Sequence, residues 1–164
     1  MNNGKILLFV IDDDVSMLEI IESFIASKFP MIEVISFRNG EDAIRNIAAN
    51  PKAVIIDYYL DNDNPDAANG LEILKKFKKI NPALPVIMFS AQDKPEVAAE
   101  IVKAGAFSYI VKNESSFERM EIVLKNLTMH VILNQRIITQ RLLILLLGLS
   151  LFFSIAYLVT KFFA

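Results

Sequence analysis

Ala53-Val54-Ile55-Ile56-Asp57 runs four apolar residues, three of them β-branched, straight into a carboxylate. A short run of this kind reads as a strand buried on both faces, as in a parallel sheet. Asp57 then stands at the strand's carboxyl end, the edge of an open α/β sheet where ligands and chemistry gather. Taken alone, a strand-end Asp is more often a turn residue than a reactive one. Its meaning depends on what falls at the other strand ends.

Working toward the N-terminus, residues 5–11 form a similar apolar run that ends in Asp12-Asp13-Asp14. Asp14 can N-cap a helix, and Ser16 with Glu19 gives an overlapping capping signature. Met17, Leu18, Ile20, Ile21, Phe24 and Ile25 supply that helix with an apolar stripe, which Pro30 ends. Residues 31–37 are a second strand, followed by an Arg38-Asn39-Gly40 turn and a short helix over 41–49.

Toward the C-terminus, residues 58–69 are a polar loop, and Leu71, Leu74, Phe77 and Ile80 mark a helix closed by Asn81-Pro82. Residues 85–89 are a fourth strand ending at Ser90. Pro95 suits the first turn of the next helix, and residues 107–111 are a fifth strand ending at Lys112. Ser115 or Ser116 caps a last helix. Five alternating β and α units predict an α/β fold, a doubly wound five-stranded parallel sheet with helices on both faces.

Composition narrows the function. The net charge of −2 gives no broad basic surface, so nucleic acid is not an expected partner. There are no cysteines, which removes disulfides and thiolate metal sites. The first residues are too short for a signal-peptide n-region. Polar chemistry instead gathers at four strand ends: Asp12 and Asp13, Asp57, Ser90 and Lys112. Converging carboxylates repel unless a cation neutralises them, and hard oxygen ligands favour Mg²⁺ or Mn²⁺. A lysine and a hydroxyl nearby can hold phosphoryl oxygens. One carboxylate is left to attack phosphorus.

These residues resemble the receiver domain of two-component response regulators, with a flavodoxin-like fold. The likeness covers about residues 5–127 and rests on Ile11-Asp12-Asp13-Asp14, Val54-Ile55-Ile56-Asp57, Met88-Phe89-Ser90-Ala91 and the run from Gly105 to Lys112. The resemblance implies Asp57 as phosphoacceptor, with phosphate coming from a histidine kinase or phosphotransfer protein. It implies Mg²⁺ (or Mn²⁺) bound by Asp13, Asp57 and the backbone carbonyl of Tyr59, with Asp12 acting through metal-bound water. Ser90 and Lys112 would contact phosphoryl oxygens. Tyr109 matches the family's switch aromatic, which turns inward with Ser90, and the responding surface would be the fourth helix, fifth strand and fifth helix.

Three places depart from the family. Asn113 stands where a cis-proline usually follows the lysine, and a cis bond before a non-proline costs roughly 2.5–4 kcal/mol, which puts that loop's conformation in doubt. Gly70 comes 13 residues after Asp57, later than usual. The acidic run at 61–66 has Asp61, Asp63 and Glu72 at calcium-loop spacing. Pro65 and Asp66 break that motif where it needs a ligand and a glycine, so calcium is not expected. Tyr59 and Gln92 sit two places after Asp57 and Ser90, where the family tunes water's access to the acyl phosphate.

The chain continues past the receiver-like part. Phe117, Leu124, Val131 and Ile138 fall on heptad a positions and Met120, Leu127 and Asn134 on d, so a pairing seam over 128–141 and a homodimer are open alongside a plain linker. Residues 142–160 are 19 residues without a charge. At 1.5 Å per residue they extend about 28 Å, near the thickness of a bilayer core. Arg136 and Arg141 before them, against Lys161 after, agree with a cytoplasmic receiver on a single-pass C-terminal anchor. Ser150 and Ser154 have small-xxx-small spacing. The expected organisation is therefore 1–127 receiver, 128–141 helical extension and 142–160 transmembrane helix, with no DNA-binding or enzymatic output domain.

The competing reading is a haloacid-dehalogenase-like Mg-dependent phosphohydrolase, because Asp12-x-Asp14 mimics its nucleophile motif and Ser90 and Lys112 follow in the right order. It lacks that family's later acidic pair and leaves Asp57 without a role. A degenerate receiver that only binds partners is disfavoured by the intact acidic set.

Overall fold

The computed structural model describes residues 5–60 and 69–163. The acidic run 61–66 lies outside the described residues. The chain divides into two units, Met1–Leu127 and Thr128–Ala164.

The first unit is built on strands β1 (Ile6–Ile11), β2 (Ile32–Phe37), β3 (Ala53–Ile56), β4 (Val86–Ser90) and β5 (Ser108–Val111). All pairings are parallel, in the order β2-β1-β3-β4-β5. Every residue of β1, β3 and β4 is buried, whereas β2 and β5, at the edges, are only partly covered. This is why the central strands read as unbroken apolar runs. Alternation then sorts the side chains by face. Leu7, Phe9, Ile11, Val54, Ile56, Val86 and Met88 pack with Ala43, Ile73, Leu74, Phe77 and Ile101. On the other face, Phe89 meets Phe117 edge-on, and Phe117 meets Phe24.

The helices follow their sequence signals with local corrections. α1 (Val15–Lys28) is capped by Asp14, whose carboxylate accepts from the Ser16 N–H at 2.9 Å, so the Asp14 signal prevails over the Ser16/Glu19 one. The helix expected over 41–49 is shorter: α2 is Gly40–Arg45, and a 3-10 turn, Ile47–Ala49, carries the chain to Asn50 in the left-handed region (φ 61°). The Asn46 N–H is shared between the Asp42 and Ala43 carbonyls, and its side chain also donates to the Asp42 carbonyl. α3 (Gly70–Ile80) is capped by Asn69 and α4 (Pro95–Lys103) starts on its proline. The described residues contain no cis peptide bond, so Lys112–Asn113 is trans.

α5 is assigned over Ser116–Phe163. Within the first unit its Met120, Leu124 and Leu127 are buried, so these heptad positions are used in covering the sheet. The second unit is helical and includes one segment, Thr139–Phe162, of 24 residues, long and apolar enough to cross a membrane. None of that segment's described residues is buried. The side chains of Asn134 and Ile138 lie outside the described residues.

Candidate functional site

The order β2-β1-β3-β4-β5 puts β1 and β3 side by side at the point where the chain's winding reverses. Asp12 follows β1, and its N–H donates to the Phe37 carbonyl; Asp57 follows β3, and its N–H donates to the Ile11 carbonyl. Ladder hydrogen bonding thus fixes the backbone of both acids just beyond the strands. Lys112 follows β5, with its N–H on the Ser90 carbonyl.

The side chains converge. Lys112 Nζ donates to Asp12 Oδ2 at 2.8 Å and to Asp57 Oδ2 at 2.9 Å, spanning two carboxylates that are 2% and 8% exposed as residues. The other oxygens are held by backbone: Asp14 N–H donates to Asp12 Oδ1 (3.0 Å) and Tyr58 N–H to Asp57 Oδ1 (2.6 Å). Lys112 also lies 5.4 Å from the centre of the buried Phe89 ring. Carboxylate oxygens of Asp12, Asp13 and Asp57 all fall within 4.8 Å of one another. Among the described residues, Asp13 has no ion-pair partner.

Electrostatics match this crowding. Burial pushes the Asp12 carboxyl above its ordinary pKa, and Lys112's hydrogen bond and charge only partly offset it. For Lys112, burial favours the neutral amine, but its hydrogen bond to Asp12 and the charges of Asp57 and Asp12 outweigh burial and raise it. The donor set is entirely hard oxygen and is short of positive charge, which fits a small divalent cation rather than a thiophilic one. Among the described residues no backbone N–H donates to the Tyr59 carbonyl.

Ser90 is fully buried at the end of β4, and its Oγ accepts from the Gln92 N–H at 3.2 Å. Tyr109, on edge strand β5, is half-buried and donates its hydroxyl to the Gln92 carbonyl. Burial, and then the Asp93 charge, raise its pKa. Tyr59 is 41% exposed, packs edge-on against Tyr58 and accepts from Gln92 Nε2 at 2.7 Å. Sequence reading placed the strand-end residues but not the backbone donors on Asp12 and Asp57, nor the bonds that Gln92 makes. Its one hint was Gln92's offset of two from Ser90.

The model of the response regulator receiver domain family matches residues 8–124. The chain belongs to that family. Among curated proteins, the transcriptional regulatory protein ZraR of Salmonella typhimurium is 30% identical over 130 residues, covering 79% of this chain and 28% of its own length. The DNA-binding transcriptional regulator NtrC of Escherichia coli is 28% identical over 106 residues, covering 65% of this chain and 21% of its own. The chain therefore spans about a quarter of these relatives. Among solved structures, the Francisella response regulator 1452 receiver domain is 25% identical with a TM-score of 0.67, covering 77% of this chain and 99% of that one. A receiver domain from Clostridium thermocellum is 24% identical with a TM-score of 0.67, covering 78% and 98%. The phosphohydrolase reading falls with this membership. Asp14, its supposed second motif acid, is an exposed helix cap.

Proposed function

We propose that this receiver accepts a phosphoryl group on Asp57 from a histidine kinase or phosphotransfer protein and works from a membrane through its C-terminal helix. The observation that carries the reading is the single ammonium of Lys112 shared between Asp12 and Asp57, with Asp13 beside them. Asp12 shares this geometry; Asp57 is preferred as acceptor because it follows β3, the middle strand of the five, where the receiver family carries its phosphoacceptor.

In the transfer, an Asp57 carboxylate oxygen forms a bond to phosphorus as the donor's P–N bond breaks. The electron pair leaves with the imidazole, which takes up a proton. Mg²⁺ (or Mn²⁺), held by Asp13, Asp57 and the Tyr59 carbonyl, with Asp12 through water, would offset the charge that builds on the phosphoryl oxygens. Lys112, already at Asp57, is placed to pair with one phosphoryl oxygen. Ser90 keeps its hydroxyl proton to donate to another, since its oxygen serves as the acceptor from Gln92. The drawing of the Ser90 hydroxyl to the phosphoryl group and the turning of Tyr109 would alter α4, β5 and the start of α5.

The test is intact-mass measurement after incubation with acetyl phosphate and Mg²⁺. Wild type should gain one phosphoryl group, and Asp57→Asn should gain none. Equal labelling of Asp57→Asn would move the acceptor elsewhere and sink the proposal.

A further inference from the structure

Gln92 is the meeting point of four hydrogen bonds. Its N–H donates to Ser90 Oγ and its carbonyl accepts from the Tyr109 hydroxyl. Its side chain is occupied at both ends: Nε2 donates to the Tyr59 hydroxyl at 2.7 Å and Oε1 accepts from the Lys94 N–H at 3.2 Å. A glutamine on a loop ordinarily exchanges its partners with water. Here two protein partners hold the amide in one orientation, and the carbonyl of the same residue holds a third. Tyr59 lies on the segment after β3, Gln92 on the segment after β4 and Tyr109 within β5, so one residue joins the segments after β3 and β4 to β5.

We infer that Gln92 is a positioning residue, a clasp that couples the Tyr59 ring to the Tyr109 ring across the mouth of the Asp57 site. Tyr109 is held through the Gln92 backbone and Tyr59 through its side chain. A shift of the Tyr59 segment therefore pulls on the loop that fixes Tyr109, and release of Tyr109 loosens Tyr59. Tyr59 is in this way part of the switch rather than only a neighbour of the acid. The functional consequence rests on the receiver reading; the coupling itself does not.

The coupling is tested in the full chain in detergent, with ring-labelled tyrosine and no phosphodonor. The chain has four tyrosines, assigned by Tyr→Phe substitution. Gln92→Met keeps the side chain's length and removes both its bonds; it should move the Tyr59 and Tyr109 signals together and leave Tyr157 in place. Tyr59→Phe, which deletes one hydroxyl, should move the Tyr109 signal. Gln92→Glu should restore both signals, because a carboxylate still accepts from Lys94 N–H and from a Tyr59 hydroxyl turned to donate. A Tyr109 signal that ignores Tyr59→Phe, or a Gln92→Met effect confined to Tyr59, would overturn the clasp. In a second arm, the lifetime of the acyl phosphate should change by the same factor in Tyr59→Phe, Gln92→Met and the double variant. Independent, multiplying effects would count against the coupling. Failure of wild type to take up phosphate would instead strike the receiver reading, while the ring signals would still decide the clasp.

Discussion

At the scale of single residues, the site is governed by one cation between two buried acids. Removing one partner of such a set leaves an uncompensated buried charge, which costs about 3–5 kcal/mol in comparable cases. Lys112→Met should therefore lower the stability of the metal-free protein by a few kcal/mol, at the low end of that range because Asp12 can respond by binding a proton. Urea unfolding with and without Mg²⁺ checks this, and Mg²⁺ should recover much of the loss. The pH dependence follows from the two shifts. Lys112's folded pKa lies above the ordinary 10.5, so its contribution is complete below that pH and is lost as pH climbs through the folded value. Asp12's folded pKa lies above the ordinary 3.8, so the native state holds a proton that the unfolded state has released. Stability of the metal-free protein should fall as pH rises from 3.8 through Asp12's folded value, and Asp12→Asn should flatten that limb. Asp13→Ala should abolish Mg²⁺ binding, read by calorimetry, without unfolding the protein; unchanged binding would remove Asp13 from the ligand set. Asp12, Asp57, Ser90 and Lys112 were legible because a strand end is a position that the apolar pattern marks. The donors from Asp14 and Tyr58 and the four bonds of Gln92 were not, because loop conformation sets them and no periodicity records it.

At the scale of elements, two glycines show how tightly the helices are set against the sheet and its loops. A Cβ on Gly70 would lie 2.0 Å from the Asp57 carbonyl oxygen and 2.8 Å from Tyr58 Cα. Those atoms are backbone, and they belong to the segment that holds the Asp57 carboxylate. Gly70 N–H also donates to the Tyr58 carbonyl at 2.8 Å, so α3 is bonded directly to that segment. Gly70→Ala should cost about 1–3 kcal/mol or more, as overpacking does, and should weaken Mg²⁺ binding with it. A Cβ on Gly40 would instead lie 2.3–2.9 Å from side-chain carbons of Ile73, which is fully buried. Gly40→Ala should destabilise by a similar amount, yet Ile73→Ala in the same chain should recover part of it, and no such partner exists for Gly70. Thermal unfolding of the two single variants and the Gly40/Ile73 pair separates the cases. The distinction was invisible in sequence, where both glycines read only as turn and loop residues. By contrast, the five strands were readable, and so was the double-sided burial of β3, since residues covered on both faces leave an unbroken apolar run. α2 fell short of its expected end at Asn46, whose N–H is shared between the Asp42 and Ala43 carbonyls as the chain tightens into a 3-10 turn, a local change that an apolar pattern does not encode.

At the scale of the whole molecule, the segment Thr139–Phe162 stands apart from everything else in composition and exposure. Leu142, Leu143, Ile144, Leu145, Leu146 and Leu147 are each more than half exposed, as are Phe152, Phe153, Tyr157 and Leu158. Each such leucine or phenylalanine contributes roughly 1.5–3 kcal/mol when moved out of water. The helix satisfies its own backbone, as a bilayer demands. Two of its hydroxyls are satisfied within the helix: Ser154 donates to the Ser150 carbonyl and Thr160 to the Tyr157 carbonyl, both at 2.9 Å. Arg141 and Lys161 stand near the ends, where long cationic side chains can reach the interface. Anchoring would confine the receiver to two dimensions and raise its effective concentration near a membrane kinase. Full-length protein is expected in the membrane pellet after carbonate and high-salt washing, and a chain ending at Arg141 in the soluble fraction. The same apolar surface could be covered by copies of itself, and this competing outcome gives a different result. A helical bundle would bring full-length protein into the soluble fraction as a discrete oligomer, and a charge placed at Leu147 would break that oligomer rather than release protein from a membrane. Leu147→Arg therefore tests the burial itself. At the centre of a spanning helix an arginine costs about 2.5–3.5 kcal/mol, comparable to one or two leucines. The longer apolar run should still hold the variant in the pellet but with a measurable soluble fraction, and a variant as fully retained as wild type would mean that residues 142–160 do not sit at the depth proposed.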